Sequence, residues 1–147
     1  FDASSPTPRI STQDTHAAYR TKGYHVLYVT ARPDFLTGGT RSWFSSQSYP
    51  FASFHLSQSN FGEQGAAASD YKANYLLSLK NDQGIDFAWL YGNKDSDLGA
   101  YLRVGVVPSH IYLVSGEFTG NLQGANLIDS YTPEVARVRC LPPVTQP

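Results

Sequence analysis

Methionine is absent from the 147 residues, and cysteine occurs once, as Cys140. A chain that starts at Phe1 without methionine is expected to have lost sequence upstream, by processing or proteolysis. A single cysteine excludes an internal disulfide framework and leaves the redox compartment open. No apolar run approaches the ~18 residues that a bilayer span requires, so no transmembrane segment is expected; a soluble domain is. No signal peptide is visible. Charge is sparse as well: 16% of residues are charged and the net charge is −1. That removes any generic electrostatic case for nucleic acid or an anionic membrane as partner. The four histidines, His16, His25, His55 and His110, lack metal-ligand spacing and read as structural.

What is present suits one globular domain. The apolar fraction of 41% over this length can build a core of ordinary size. Residues 1–9, with two prolines and three Ser/Thr, read as an irregular lead-in. Ser11 and Asp14 resemble a capping box ahead of a helix through Ala17–Tyr19 that Gly23 stops. Tyr24–Thr30 is a nearly continuous apolar run, as in a strand buried on both faces, ended by Arg32-Pro33. Further helices are expected over Thr40–Ser46, Ala66–Lys80 and Ser96–Val104. Further strands are expected over Ala52–Leu56, Ile85–Tyr91 and Ile111–Val114, with a loop over Ser57–Gly65. Strand and helix in alternation with short joints predict an α/β fold with a mostly parallel sheet. Residues 10–140 form the expected domain, and 141–147 a proline-rich surface tail.

In such sheets ligands sit where strands end and helices begin. Thr30 with Ala31-Arg32 ends one strand; Asn93, Asp95 and Asp97 follow another; Lys72 lies early in the best helix. A hydroxyl, a lysine and a carboxylate cluster describe a site for a phosphate with a divalent metal. Lys72 would neutralise phosphoryl charge, and Asp97 or Asp95 would give magnesium a hard oxygen. Each residue also has a plain structural reading. A strand-end threonine is usually architectural, a helix lysine usually solvated, and Asp95 or Ser96 would serve as an N-cap.

The blocks YHVLYVTARP, TRSWF, YKANYLLSL and LYGNKDSDLGAYLRVGVVPSHIYLV, spanning roughly residues 10–115, resemble the lipin-type domain of the haloacid-dehalogenase (HAD) superfamily. That group includes lipin phosphatidate phosphatases, the related C-terminal domain of membrane-associated phosphatidylinositol transfer proteins, and bacterial relatives of unassigned substrate. The resemblance implies a three-layer α/β/α HAD-like fold and a magnesium-dependent phosphatase. It places Thr30 at the second motif on the phosphoryl group, with Ala31 and Arg32 beside it. It gives Lys72 the third motif, where lysine steadies the nucleophile. Asp97 takes the fourth motif as the magnesium-side carboxylate, with Asn93 and Asp95 adjacent.

One part of that pattern is missing. HAD phosphatases attack with the first Asp of Asp-x-Asp-x-Thr, which no segment of this chain contains. Asp2 is the nearest stand-in, but the interval to Thr30 is too short for the intervening elements. The nucleophile strand belongs mid-sheet, between the strands ending at Thr30 and near Tyr91, so its loss predicts unpaired edges. A complementary N-terminal peptide carrying that central strand is the expected partner, direct pairing of the two strands the alternative. Two functions follow. One is a phosphatase acting on a phosphomonoester, with phosphatidate-like lipids among the candidate substrates, through an aspartyl phosphate on the missing segment. The other is an inactive module that binds phosphate or a phospholipid head group.

Overall fold

The computed structural model describes residues 7–50, 52–59 and 62–145. Asp2, most of the lead-in, Phe51, Asn60, Phe61 and the last two residues of the tail lie outside the described residues. The order is α1 (Thr12–Thr21), β1 (Leu27–Pro33), α2 (Thr37–Ser46), β2 (Ser53–Ser57), α3 (Gly65–Gln83), β3 (Leu90–Gly92), α4 (Asp95–Val104), β4 (Ile111–Val114), β5 (Asn126–Ile128) and α5 (Thr132–Arg139). Helices alternating with short parallel strands give the α/β pattern of the three-layer α/β/α class. No helix among the described residues is long and apolar enough to cross a membrane.

The chain divides into two compact units. The first comprises residues 1–61 and 130–147. Its sheet is β1 paired parallel with β2, Leu27 opposite Ser53 through Thr30 opposite Leu56. The helices α1 and α5 pack together, and Thr15, wholly buried, bonds through its hydroxyl to the Ser11 and Tyr131 carbonyls. His16, Tyr28, Phe44, Tyr49 and Phe54 form a continuous aromatic cluster. At its heart the Tyr28 hydroxyl and His16 Nδ1 share a 2.6 Å hydrogen bond.

The second unit comprises residues 62–129, with a parallel sheet in the order β3-β4-β5. β4 carries the core: Ile111, Tyr112, Leu113 and Val114 are all buried. α3 lies against α4 and buries Ala68, Lys72, Ala73, Leu76 and Leu79. That face is spaced i, i+4, i+8 and i+11, a helical period, and it places a lysine among apolar neighbours. Gly84 closes α3 at φ +66, the left-handed C-terminal stop that glycine adopts without strain.

Several sequence expectations change. Ser11 makes no side-chain cap; its φ is 63 and its hydroxyl bonds Thr132 instead, so the Ser11/Asp14 capping box is not formed. β1 does not stop at Thr30 but runs to Pro33 through an irregularity, and it is half-buried where burial on both faces was expected. The strand expected over Ile85–Tyr91 shrinks to Leu90–Gly92, because Ile85, 38% exposed, has no core to enter. β5 and α5 carry little apolar periodicity and were not foreseen. β1 pairs on one edge with β2 and β3 on one edge with β4, and neither has a second ladder among the described residues.

Candidate functional site

The predicted residues fall in both units, and each set is described within its own. In the first unit Thr30 occupies the last regular rung of β1, opposite Leu56. The ladder resumes at Pro33 opposite Ser57, so Ala31 and Arg32 sit in the irregular step between. The Arg32 amide donates to the Thr30 hydroxyl at 3.3 Å, which ties the step to the strand. Such bulges re-aim side chains and are common beside binding sites.

In the second unit the structure brings Lys72 and Asp97 together. Lys72 is 9% exposed and Asp97 4%, and the Lys72 ammonium donates to Asp97 Oδ1. Asp97 Oδ2 accepts the backbone N–H groups of Asn93, at 2.9 Å, and Lys94, at 3.1 Å. Local sequence explains this. β3 ends at Gly92, Lys94 is the N-cap of α4 and Asp97 stands three residues inside. The first turn of a helix leaves N–H groups unsatisfied, and a carboxylate there answers both hydrogen bonding and the helix dipole. Glycine is required at 92: a Cβ there would overlap Asp97, with the carboxylate carbon and Oδ2 only 2.8 Å away. The N-cap expected at Asp95 or Ser96 therefore lies at Lys94, closed backwards by Asp97. Asn93 enters through its backbone.

Asp95 faces another way. Its Oδ1 accepts the amides of Thr119, at 3.2 Å, and Gly120, at 2.9 Å, while Oδ2 accepts the Thr119 hydroxyl at 2.9 Å. These bonds, the Gly120 amide first, hold its carboxyl below the usual aspartate range. They tie the β4–β5 connection onto the start of α4. An open depression of about 410 Å³ lies beside this clasp, lined by Gly65, Lys94, Asp95, Ser96 and Glu117. Lys94 Nζ stands 3.4 Å from Glu117 Oε2 at its rim.

Among the described residues no three His, Cys, Asp or Glu converge as metal ligands. Magnesium finds a partial donor set. Oδ2 of Asp97 and Oδ1 of Asp95 each already accept two N–H groups, which leaves one open lone pair on each carboxylate's other oxygen, plus the Asn93 amide oxygen. Lys94, Ser96 and Glu117 were not anticipated. Lys94 sits inside the NKDSD run that was singled out, but only folding shows that Glu117 returns to it.

A family model described as "PITM 1-3, LNS2 domain" matches residues 2–115. The Drosophila melanogaster protein retinal degeneration B is 25% identical over 138 residues, 92% of this chain and 10% of that protein. Membrane-associated phosphatidylinositol transfer protein 2 of Mus musculus matches over the same coverage at 25%. Membrane-associated phosphatidylinositol transfer protein 1 of Homo sapiens is 26% identical over 111 residues, 76% of this chain and 8% of that protein. The chain thus spans about a tenth of the length of these curated relatives. The family match covers well over half of the chain, which belongs to the LNS2 domains of the PITM 1-3 type.

Proposed function

We propose that this chain is a phosphoester-recognition domain of HAD-like descent, serving a lipid-associated protein, and that its own residues support binding rather than turnover. One observation carries the reading. Asp97, the carboxylate expected to serve magnesium, is committed to Asn93, Lys94 and Lys72. A carboxylate so engaged holds a helix terminus and a buried lysine in place and keeps little capacity for a metal, while the chain has no Asp-x-Asp-x-Thr to supply a nucleophile. The relatives named for phosphatidylinositol transfer support a lipid-borne phosphate as ligand. In this reading Lys72 supplies buried positive charge within the second unit; within the first, Thr30, Ala31 and Arg32 carry a hydroxyl, a backbone amide and a guanidinium, donor types that suit phosphate oxygens.

A second reading is favoured by β1 and β3 each having a single ladder among the described residues. In it a segment carrying Asp-x-Asp-x-Thr, from outside these residues, adds the central strand and restores a magnesium-dependent phosphatase acting on a phosphomonoester, with phosphatidate-like lipids among the candidate substrates. Lys72 and Thr30 are then catalytic, and Asp97, Asn93 and Asp95 would hold Mg2+ with the remaining ligands from phosphate and water. A bound magnesium would offset phosphoryl charge there.

The test uses the 147-residue chain with vesicles of phosphatidylcholine containing phosphatidate, with and without Mg2+. Saturable binding without phosphate release is expected, weakened in Lys72→Met. Steady magnesium-dependent phosphate release by this chain alone would overturn the binding reading. Release that starts only when an Asp-x-Asp-x-Thr strand is supplied supports the second.

A further inference from the structure

In the first unit β1 ends in the irregular step at Thr30–Pro33, and a single 3-10 turn over Asp34–Leu36 leads into α2. The turn is anchored on both sides. Pro33 is fully buried at its base, and Thr40, 5% exposed, fixes the start of α2. Within the turn the Thr37 amide and hydroxyl both donate to the Asp34 carbonyl, so its backbone closes on itself. Phe35 stands in the middle, 67% exposed, the one exposed aromatic side chain among the described residues.

A lone exposed apolar residue is ordinary, so the weight lies on what surrounds it. Residues 35–40 carry no charge, and half-buried Leu36 adds to the apolar surface of Phe35. Gly38 and Gly39 are exposed, with nothing within 4 Å of where a Cβ would stand, so no side chain holds an approaching surface away. Arg41 ends the run, ~6 Å along the axis of α2. It is exposed, its guanidinium lies 5.4 Å over the Phe54 ring, and it has no carboxylate partner among the described residues.

The segment also begins where the phosphoester reading places a phosphate, at Thr30–Arg32. Phe35 lies three residues beyond Arg32, a reach of at most about 11 Å. A bilayer lipid offers the same succession, because apolar side chains docked on a membrane sink ~5–10 Å into the boundary between head groups and acyl chains. A free phosphate ester leaves the apolar half of this segment in water. The net charge of −1 gives the chain no general pull toward an anionic surface, so attachment has to be local.

We infer that the β1–α2 connection is a membrane-docking surface: Phe35 and Leu36 insert beneath the head groups of a bilayer whose phosphate-bearing lipid meets Thr30–Arg32, and Arg41 rests on the anionic head groups beside it. The inference depends on the phosphoester reading and names a lipid in a membrane as the source of the phosphate.

The probes are phosphatidylcholine vesicles containing phosphatidate, followed by co-sedimentation, and glycerol 3-phosphate as the soluble ester, followed by NMR on the intact chain. Phe35→Ser should weaken vesicle binding about tenfold, the scale of burying most of a phenylalanine side chain, and should leave glycerol 3-phosphate binding and the melting temperature unchanged. Arg41→Gln should weaken vesicle binding about fivefold. Phe35→Trp in a Trp43→Phe background should keep vesicle binding and shift its emission to the blue on vesicles. Vesicle binding untouched by Phe35→Ser, or by Arg41→Gln, overturns the inference and leaves the phosphoester reading standing. So does a parent chain that binds glycerol 3-phosphate and not vesicles. Loss of both ligands together in Phe35→Ser assigns Phe35 to the phosphate site itself and overturns the inference as well. A parent chain that is dimeric by sedimentation, and monomeric as Phe35→Ser, gives the surface to a second copy and likewise overturns it. Binding of neither probe by the parent chain overturns both the inference and the reading beneath it.

Discussion

Replacing Asp97 with asparagine keeps the shape of the side chain and removes its charge. The amide oxygen can still accept from the backbone at Asn93 and Lys94, where Oδ2 now sits. The amide nitrogen then turns its hydrogens toward the Lys72 ammonium, a donor facing a donor. Lys72 is left buried, 9% exposed, without a counter-charge. Breaking a buried pair in this way costs about 3 kcal/mol or more, a large share of the ~5–15 kcal/mol typical of a whole domain. At roughly 2–4 °C per kcal/mol for a chain of this size, the melting temperature should fall by about 10 °C. Trp89 fluorescence in a Trp43→Phe background reports on the second unit, with urea unfolding as the equilibrium measure. Lys72→Met combined with Asp97→Asn removes the stranded charge, so the double variant should be more stable than Asp97→Asn alone. A melting temperature for Asp97→Asn within 2 °C of the parent, or a double variant that simply adds the two losses, would refute the reasoning.

Other perturbations reach different parts of the chain. Burial pushes the His16 imidazole down to about 4, against the ordinary ~6.5 that the unfolded chain retains. Stability from keeping it neutral is therefore whole above pH ~6.5 and drains away as pH falls toward 4, by up to about 3 kcal/mol; urea midpoints between pH 4 and 7 should show this, and His16→Gln should flatten the profile. Gly92→Ala forces a Cβ into Asp97 and is expected to lose at least ~2 kcal/mol, read as a melting shift of several degrees. Asp95→Ala frees Thr119 and Gly120, so hydrogen exchange at those two amides should rise while β4 amides keep their protection. Gly23→Ala, at φ +88 and with its Cβ 2.8 Å from the Val144 carbonyl oxygen, is expected to release the Val144 amide from Lys22 and to lower stability by about 1–2 kcal/mol.

Sequence exposed the elements whose residues share a period or an apolar run. α3, α4 and β4 lie close to their expected bounds because the inward residues of the two helices repeat at helical spacing and β4 is one continuous apolar run. β5 was invisible because Asn126, Leu127 and Ile128 are three residues held by a parallel ladder to β4, a tertiary support with no local signature. The capping box failed for a related reason: Thr132, far along the chain, takes the Ser11 hydroxyl that a local motif would have used. Lys72 and Asp97 were legible as a set, yet not as a contact, since only the packing of α3 on α4 closes the gap between them. Lys94 and Glu117 lie farther out of reach, because their meeting depends on a clasp by Asp95 that sequence assigned to a metal.

Two lysines of α3 hold the ends of α4, and the difference between them explains why Asp97 stands where it does. Lys80 donates directly to the Val104 carbonyl at the C-terminus of α4, 3.0 Å away. A cation at a helix C-terminus meets the negative end of the dipole and needs no intermediary. Lys72 lies eight residues earlier and reaches the N-terminus of the same helix, where a cation meets unpaired N–H groups and the positive end of the dipole. That approach is repulsive without a carboxylate between, and Asp97 fills the interval, one oxygen toward the helix and one toward the lysine. Charge therefore alternates from Lys72 through Asp97 to the start of α4. Any anion that binds Lys72 must share it with Asp97. The order of charges within the second unit thus makes Asp97 the link between a buried lysine and a helix start that would otherwise repel it.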